Sequence, residues 1–275
     1  MSRRAAPKAN SAALRREGTP VTYRHLRVDK ADGVARIAFD RVEKHNAANL
    51  ATFDEFIRAM ADVDRDDEIQ VAIVTGQGPK AFCAGVDMGA FDITDLGQAR
   101  DWIARCQAVF ESVENVRKPV IAAVNGLALG LGLELAMVCD ITLASESAVF
   151  GLPEIKHGML PAVLLTRGLE FLGRKNVAYL AMTGELFSAD TARELGLVNK
   201  VVPAAQLMPE ALALAQRLRG NAPLGLRTVK RLLTRNGQRH SRDVVDFLAP
   251  LMLSDDLKEA RAAFFEKRKP VFRGR

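Results

Sequence analysis

Apolar residues recur along this chain with two periods, and the switches between them predict its elements. Two strand-like runs, 21–28 and 34–39, flank Asp32-Gly33, a dipeptide that favours a tight hairpin turn. Over 50–64, Phe53, Ile57, Met60 and Val63 recur every three or four residues and predict an amphipathic helix. A polar turn at 64–68 leads to a buried strand at 70–75. A second helical stripe follows, formed by Trp102, Ile103, Cys106, Val109, Phe110 and Val113, and it reads as core. Residues 120–124 predict another buried strand, then a Gly-rich turn, an apolar helix over 131–139 and a strand at 141–144. Ser188 and Gly196 bracket a short helix as N-cap and stop signal, and 198–202 returns to strand. Beyond that the pattern is helical throughout: 206–220, 223–235, 239–253 and 255–268. Strands alternating with helices argue for α/β architecture. The natural division is a leader (1–20), a core (21–205) and a helical C-terminal subdomain (206–275).

Composition changes this picture little. The chain has 275 residues, 48% of them hydrophobic, enough for a sizeable core and incompatible with disorder as the dominant state. Its net charge of +6 invites a nucleic-acid or membrane-surface reading. The distribution argues against it. Residues 1–20 hold five basic side chains against Glu17, and residues 258–275 hold seven against Glu259 and Glu266, leaving a body of net charge −3. A nucleic-acid role would rest on the two ends alone. Three widely spaced cysteines suggest no disulfide framework and fit a reducing, cytoplasmic compartment. The longest uncharged apolar stretch, 119–133, is 15 residues long and too short for a membrane span. The Arg- and Ala-rich leader reads as a disordered basic tail, with an organelle transit peptide as the alternative.

Several motifs can be set aside. Gly76-Gln-Gly-Pro-Lys-Ala81 matches a dinucleotide fingerprint, but residues 82–87 lack the helical periodicity that must follow it. No Gly-Lys-Ser/Thr, C-x-x-C, H-E-x-x-H or G-x-S-x-G occurs, and His25, His45, His157 and His240 are scattered. Cys83 reads as a small core hydrophobe. Two carboxylates stand out instead. Glu134 sits in the apolar run Gly130-Leu-Gly-Leu-Glu-Leu-Ala-Met-Val-Cys139, and Glu154 follows Phe150-Gly-Leu-Pro153. Burial would raise both toward the range needed for acid–base work at neutral pH, with an exposed surface glutamate as the alternative at each position. Ala84-Gly85-Val86 follows a strand and Gly130-Leu131 opens a helix, so their amides are candidates for an oxyanion hole. Ordinary turn glycines are the alternative.

Taken together, these residues resemble the crotonase (enoyl-CoA hydratase/isomerase) superfamily over nearly all of 21–275. The match is carried by Arg41-Val-Glu-Lys-His-Asn-Ala47, Ala81-Phe-Cys-Ala-Gly-Val-Asp87, Val124-Asn-Gly-Leu-Ala-Leu-Gly-Leu-Gly-Leu-Glu-Leu-Ala136 with Cys139-Asp140, and Phe150-Gly-Leu-Pro-Glu154. The tail from Phe264 to Arg275 is similar to that family's C-terminus. The resemblance implies a spiral of repeated β-β-α units with a C-terminal helical trimerisation region, assembled as a homotrimer or homohexamer. It implies an acyl-CoA thioester as ligand, with no metal or redox cofactor. By position, the amides of Val86 and Leu131 would hold the thioester oxygen. Glu154 would exchange a proton at Cα, and Glu134 would orient and deprotonate a water, the arrangement of a hydratase. Arg41, Lys44 and Lys80 would face the nucleotide end of CoA, and Ala84, Gly85, Asp87 and Gly130 would line the site. A Δ3,Δ2-enoyl-CoA isomerase and a non-catalytic acyl-CoA binder stay open as alternatives. The chain departs from the family's usual residues at Leu131, where glycine is usual, at Val42, where proline is common, and over Pro161-Ala-Val-Leu-Leu165, where Pro-Gly-Ala-Gly-Gly is frequent.

Overall fold

Asp32 (φ +46°) and Gly33 (φ +70°) make the expected hairpin turn. They pair β1 (Leu26–Ala31) with β2 (Val34–Phe39), antiparallel from Ala31 opposite Val34 to Leu26 opposite Phe39. In the computed structural model, which describes residues 22–90, 92–221, 223–237, 249 and 252–271, this tight turn also corrects the first strand. A two-residue loop carries pairing up to the turn, so β1 runs on to Ala31, and its pairing begins where Leu26 meets Phe39, the last residue of β2, rather than spanning 21–28. Tyr23 lies ahead of the strand and donates its hydroxyl hydrogen to Asp62 Oδ2 at 3.1 Å. The leader, residues 272–275 and most of the helix expected over 239–253 fall outside the described residues.

Behind β2 lie β3 (Val71–Gly76), β5 (Val120–Val124), β7 (Ile141–Ser145) and β10 (Lys200–Val202), all parallel, in the order β1-β2-β3-β5-β7-β10. A smaller sheet is built from three-residue strands: β4 (Ala81–Cys83), β6 (Leu127–Leu129), β8 (Val149–Gly151) and β9 (Leu186–Ser188), in that order. Its first three strands are parallel and the last is antiparallel. The Gly-rich turn expected after residue 124 thus contains a strand. β3, β5 and β7 are each followed by a strand of the small sheet and then a helix: α2 (Leu96–Asn115), α3 (Leu131–Val138) and α4 (Leu169–Thr183, interrupted at Gly173). That repetition is the spiral of β-β-α units.

The core fills the space between the sheets and the helices. Asn49 caps α1 (Leu50–Arg65) by accepting from the Thr52 amide, and Phe53, Phe56, Met60 and Val63 are buried from its inner face. Phe39 stacks on Phe56 with ring centroids 5.4 Å apart. Each such side chain contributes roughly 1.5–3 kcal/mol by leaving water. On the other face of the large sheet, Leu207, Ala211 and Ala215 of α6 (Leu207–Arg219) cover Val71, Ile73 and Ile121. Ser188 caps α5 (Ala189–Glu194), and Ser254 caps α8 (Asp255–Phe265) through the Leu257 amide at 3.1 Å. Between them, α7 (Pro223–Gly237) opens on a proline, suited to the first helical position. No helix among the described residues is long and apolar enough to cross a membrane.

Candidate active site

The three parallel strands of the small sheet end side by side, and each end delivers a piece of one site. Strand β4 leads into Ala84-Gly85-Val86, β6 into Gly130-Leu131, and β8 into the tight turn Pro153–His157 that carries Glu154. Neighbouring strands are roughly 4.8 Å apart, so the sheet gathers these three strand ends into one place. A hydrogen bond from Gly130 N to Gly151 O (2.9 Å) ties the last two ends together. Gly130 has φ +51°, and a Cβ there would lie 2.9 Å from Glu154 Oε1, so the carboxyl sits directly against this turn. A Cβ on Gly132 would meet Cys83 O at 2.0 Å, which is how α3 comes to start against β4.

Leu131 is the first residue of α3, so its N–H has no partner within the helix. Glu134 occupies the same first turn and is 5% exposed. Its Oε1 accepts from the Val163 amide at 2.7 Å and the Leu164 amide at 3.4 Å. These amides belong to the segment 162–165 and open a helical stretch that includes one π-helical turn, Leu164–Gly168. Arg167 in that turn is buried and forms a bidentate pair with Glu114 of α2, its Nη2 2.6 Å from Oε2. Burial pushes the Glu134 carboxyl up to about 7, opposed by the two amides and by Arg167. Burial, and then the charge of Glu134, pushes Glu154 well above the usual carboxylate range. Glu154 Oε2 is enclosed and has no protein partner. One carboxyl is poised to titrate near neutrality and its neighbour holds its proton, a pair fitted for general base and general acid.

Ala84, Gly85, Val86, Asp87, Gly130, Leu131, Glu134 and Glu154 all line a single cavity of about 530 Å³. Lys44 lines it too, with exposed Glu43 and His45 beside it. The other two basic residues singled out from the sequence lie elsewhere. Arg41 is committed inside the protein, pairing with Asp87 at 2.9 Å and donating to Ala47 O at 2.5 Å. Burial opposes ionisation of Asp87, but the bonds from Arg41 and the Gly89 amide hold its carboxyl below the usual range. Lys80 is exposed and outside the cavity lining. The loop from residue 77 to 80 leads from β3 into β4, so the dinucleotide-like motif opens no helix.

Sequence reasoning missed part of the wall. Trp102, Ile103, Cys106 and Gln107 of α2 line the cavity, so the stripe read as core packs inward and also faces the site. The Cys106 thiol is pushed up by burial and by both glutamates, so it lies within their field. Phe264 and Phe265 of α8 close another side, bringing the C-terminal helix over the chain's own site. Asn46, inside the stretch Arg41–Ala47, shapes the site from outside the cavity lining. It is buried with φ +59°, and its side chain donates to Gln77 O (3.0 Å) and Ala81 O (2.8 Å) while accepting from Arg41 N (3.0 Å). It therefore pins the loop that presents Ala84 to Val86. The clue was available: an Asn between two turn residues favours the left-handed region.

Comparison with known proteins identifies the family. The family model described as enoyl-CoA hydratase/isomerase matches residues 29–275. The chain is 35% identical over 257 residues to the crotonyl-CoA hydratase of Syntrophomonas wolfei, covering 92% of this chain and 99% of that protein. It is 36% identical over 247 residues to the short-chain-enoyl-CoA hydratase of Clostridium acetobutylicum, covering 88% and 95% respectively. The crystal structure of carnitinyl-CoA hydratase from Mycobacterium avium matches with a TM-score of 0.81 at 36% identity, over 92% of this chain and all of that one (100%). By fold and by sequence over almost its full length, the chain belongs to the enoyl-CoA hydratase/isomerase (crotonase) superfamily of acyl-CoA enzymes.

Proposed function

We propose that the protein is an enoyl-CoA hydratase, adding water across the double bond of a 2-enoyl-CoA thioester. The observation that carries this reading is the pair of buried carboxyls in one cavity, Glu134 raised to about 7 and Glu154 further still. The thioester oxygen accepts from the Val86 and Leu131 amides, which stabilise the enolate-like charge that builds there. Glu134 takes a proton from water as its oxygen bonds to C3. Glu154 gives a proton to C2, and the enolate collapses back to the thioester. Proton exchange between the carboxyls and solvent resets the pair. Lys44 and the basic groups beside the adjoining cavity, Lys156, Lys267 and Lys269, are suited to the phosphates of CoA. In this reading residues 21–205 hold the reacting thioester, Phe264, Phe265 and the lysines just named extend the site from the C-terminal region, and the helices of 206–275 also carry self-association into a trimer or hexamer.

An isomerase moves one proton between two carbons and needs one carboxyl; a second one poised near neutrality favours hydration. The test is turnover of crotonyl-CoA and longer 2-enoyl-CoA substrates by the wild type and by Glu134→Gln and Glu154→Gln. Each variant is expected to lose about 10²- to 10⁴-fold in kcat. Isomerase activity that survives Glu134→Gln would replace the hydratase reading. Thioester binding with no turnover across enoyl, dienoyl and malonyl substrates would replace it with a binding protein.

A further inference from the structure

Gln107 is unexplained by the reaction just described. It is 4% exposed, it lies in the wall of the cavity, and its Oε1 is enclosed with no hydrogen-bond partner. Its neighbours in that wall are largely apolar: Trp102 and Ile103 precede it on α2, and Leu131 and Leu160 also line the cavity. A buried amide oxygen left without a donor is unfavourable, so natural interiors rarely keep one without use. A pocket meant only for an alkyl chain would be better served by leucine or methionine at this position.

We infer that Gln107 is a specificity-determining residue that receives a hydroxyl group on the acyl chain, so that the substrate is a hydroxylated enoyl thioester. This rests on the acyl-CoA reading of the site and narrows its substrate class. A carboxylated acyl chain fits less well. Its charge would be buried in a cavity that already holds Glu134 and Glu154, and Lys44, which also lines it, is exposed to water. A hydroxyl supplies the missing donor without adding charge. Gln107 is assigned a role in binding the acyl chain, with proton transfer left to Glu134 and Glu154.

The test compares pairs that differ by one hydroxyl: 2-pentenoyl-CoA with 5-hydroxy-2-pentenoyl-CoA, and 2-hexenoyl-CoA with 6-hydroxy-2-hexenoyl-CoA. The wild type is expected to favour the hydroxylated member by about 10- to 100-fold in kcat/KM at one length or both, the range that one satisfied buried polar group supplies. Gln107→Leu, and the volume-conserving Gln107→Met should the first fail to fold, are expected to abolish or invert that ratio. Equal or alkyl-favouring ratios in the wild type at both lengths would overturn the inference, showing that bound water alone satisfies Gln107. So would a hydroxyl preference that persists unchanged in both variants. Calorimetric binding of pentanoyl-CoA and 5-hydroxypentanoyl-CoA gives the same comparison without turnover. If no thioester is hydrated, the hydratase reading fails while this binding ratio still decides the role of Gln107.

Discussion

Glu134 and Glu154 share a cavity whose walls are largely apolar, and their protonation sets how the protein responds to pH. Burial raises Glu134 to about 7, so it becomes a base only as pH climbs through that value. Glu154 is raised further, by burial and by Glu134, and keeps its proton until higher pH. Hydration is therefore expected to follow a bell, with kcat/KM rising through about pH 7 and falling on the alkaline side as Glu154 ionises. A pH–rate profile on crotonyl-CoA checks both limbs. The same shift has a consequence for stability. A carboxyl whose folded pKa lies above its unfolded value favours the folded state most below the unfolded value. That contribution is lost as pH rises from about 4.5 through about 7. Ionised Glu134 therefore destabilises the fold at alkaline pH. Glu134→Gln keeps an acceptor for the Val163 amide and removes the titration. Its melting temperature is expected to exceed that of the wild type at pH 8 and to match it near pH 4.5, as thermal unfolding at the two pH values will show.

At the scale of elements, the site hangs on two features, the ends of β4, β6 and β8 and the π-helical turn that faces Glu134. Arg167 in that turn is held by Glu114 of α2, with both side chains under 10% exposed (7% and 8%). Its charge lowers the pKa of Glu134. Replacing the pair together, Arg167→Met with Glu114→Leu, avoids leaving one buried charge alone, which would cost about 3–5 kcal/mol. In this double variant the acidic limb of the pH–rate profile is expected to move to higher pH. A variant that lost only packing would lower the rate without moving that limb. These elements also explain what could be read in advance. The long helices α1, α2 and α6 and the buried strands β3, β5 and β7 carry enough residues to display a period. β4, β6 and β9 have three residues each, too few for any alternation, so the sheet whose ends meet at the cavity left no pattern in the chain. Glu134 and Glu154 were legible for the opposite reason: a lone carboxylate in an apolar run is conspicuous. Gln107 was not, because a glutamine on an amphipathic helix reads as one more polar position until burial is known. Only contacts between distant segments, such as Asn46 with Gln77 and Ala81, separate a structural polar residue from a surface one.

Across the whole molecule, charge and apolar surface are unevenly placed. The net positive charge belongs to the ends of the chain, and at the C-terminal end part of it is neutralised locally: Arg268 bonds to both Glu259 and Glu266. What remains prominent on the surface is apolar. One side of α7 is anchored to the core by buried Lys230, whose Nζ lies 2.7 Å from Asp140 Oδ2. Other positions of the same helix expose Leu224, Val229, Leu232 and Leu233, the last three within one helical turn. A helix fixed by an ion pair on one side and bearing contiguous leucine and valine elsewhere is an element built to be covered. The self-association proposed for the C-terminal helices would cover it, with an isologous or ring-closing contact limiting growth to a closed assembly. Sedimentation velocity on the full chain is expected to give a species of three or six 30.0 kDa subunits rather than one. Leu232→Glu with Leu233→Glu places two charges in that patch without touching Lys230, and is expected to shift the distribution to monomer with the fold retained by circular dichroism. A wild type that sediments as a monomer at micromolar concentration would count against this assembly. A double variant that remains assembled would instead place the contact on a different surface, such as exposed Phe171, Tyr179 and Met182 of α4.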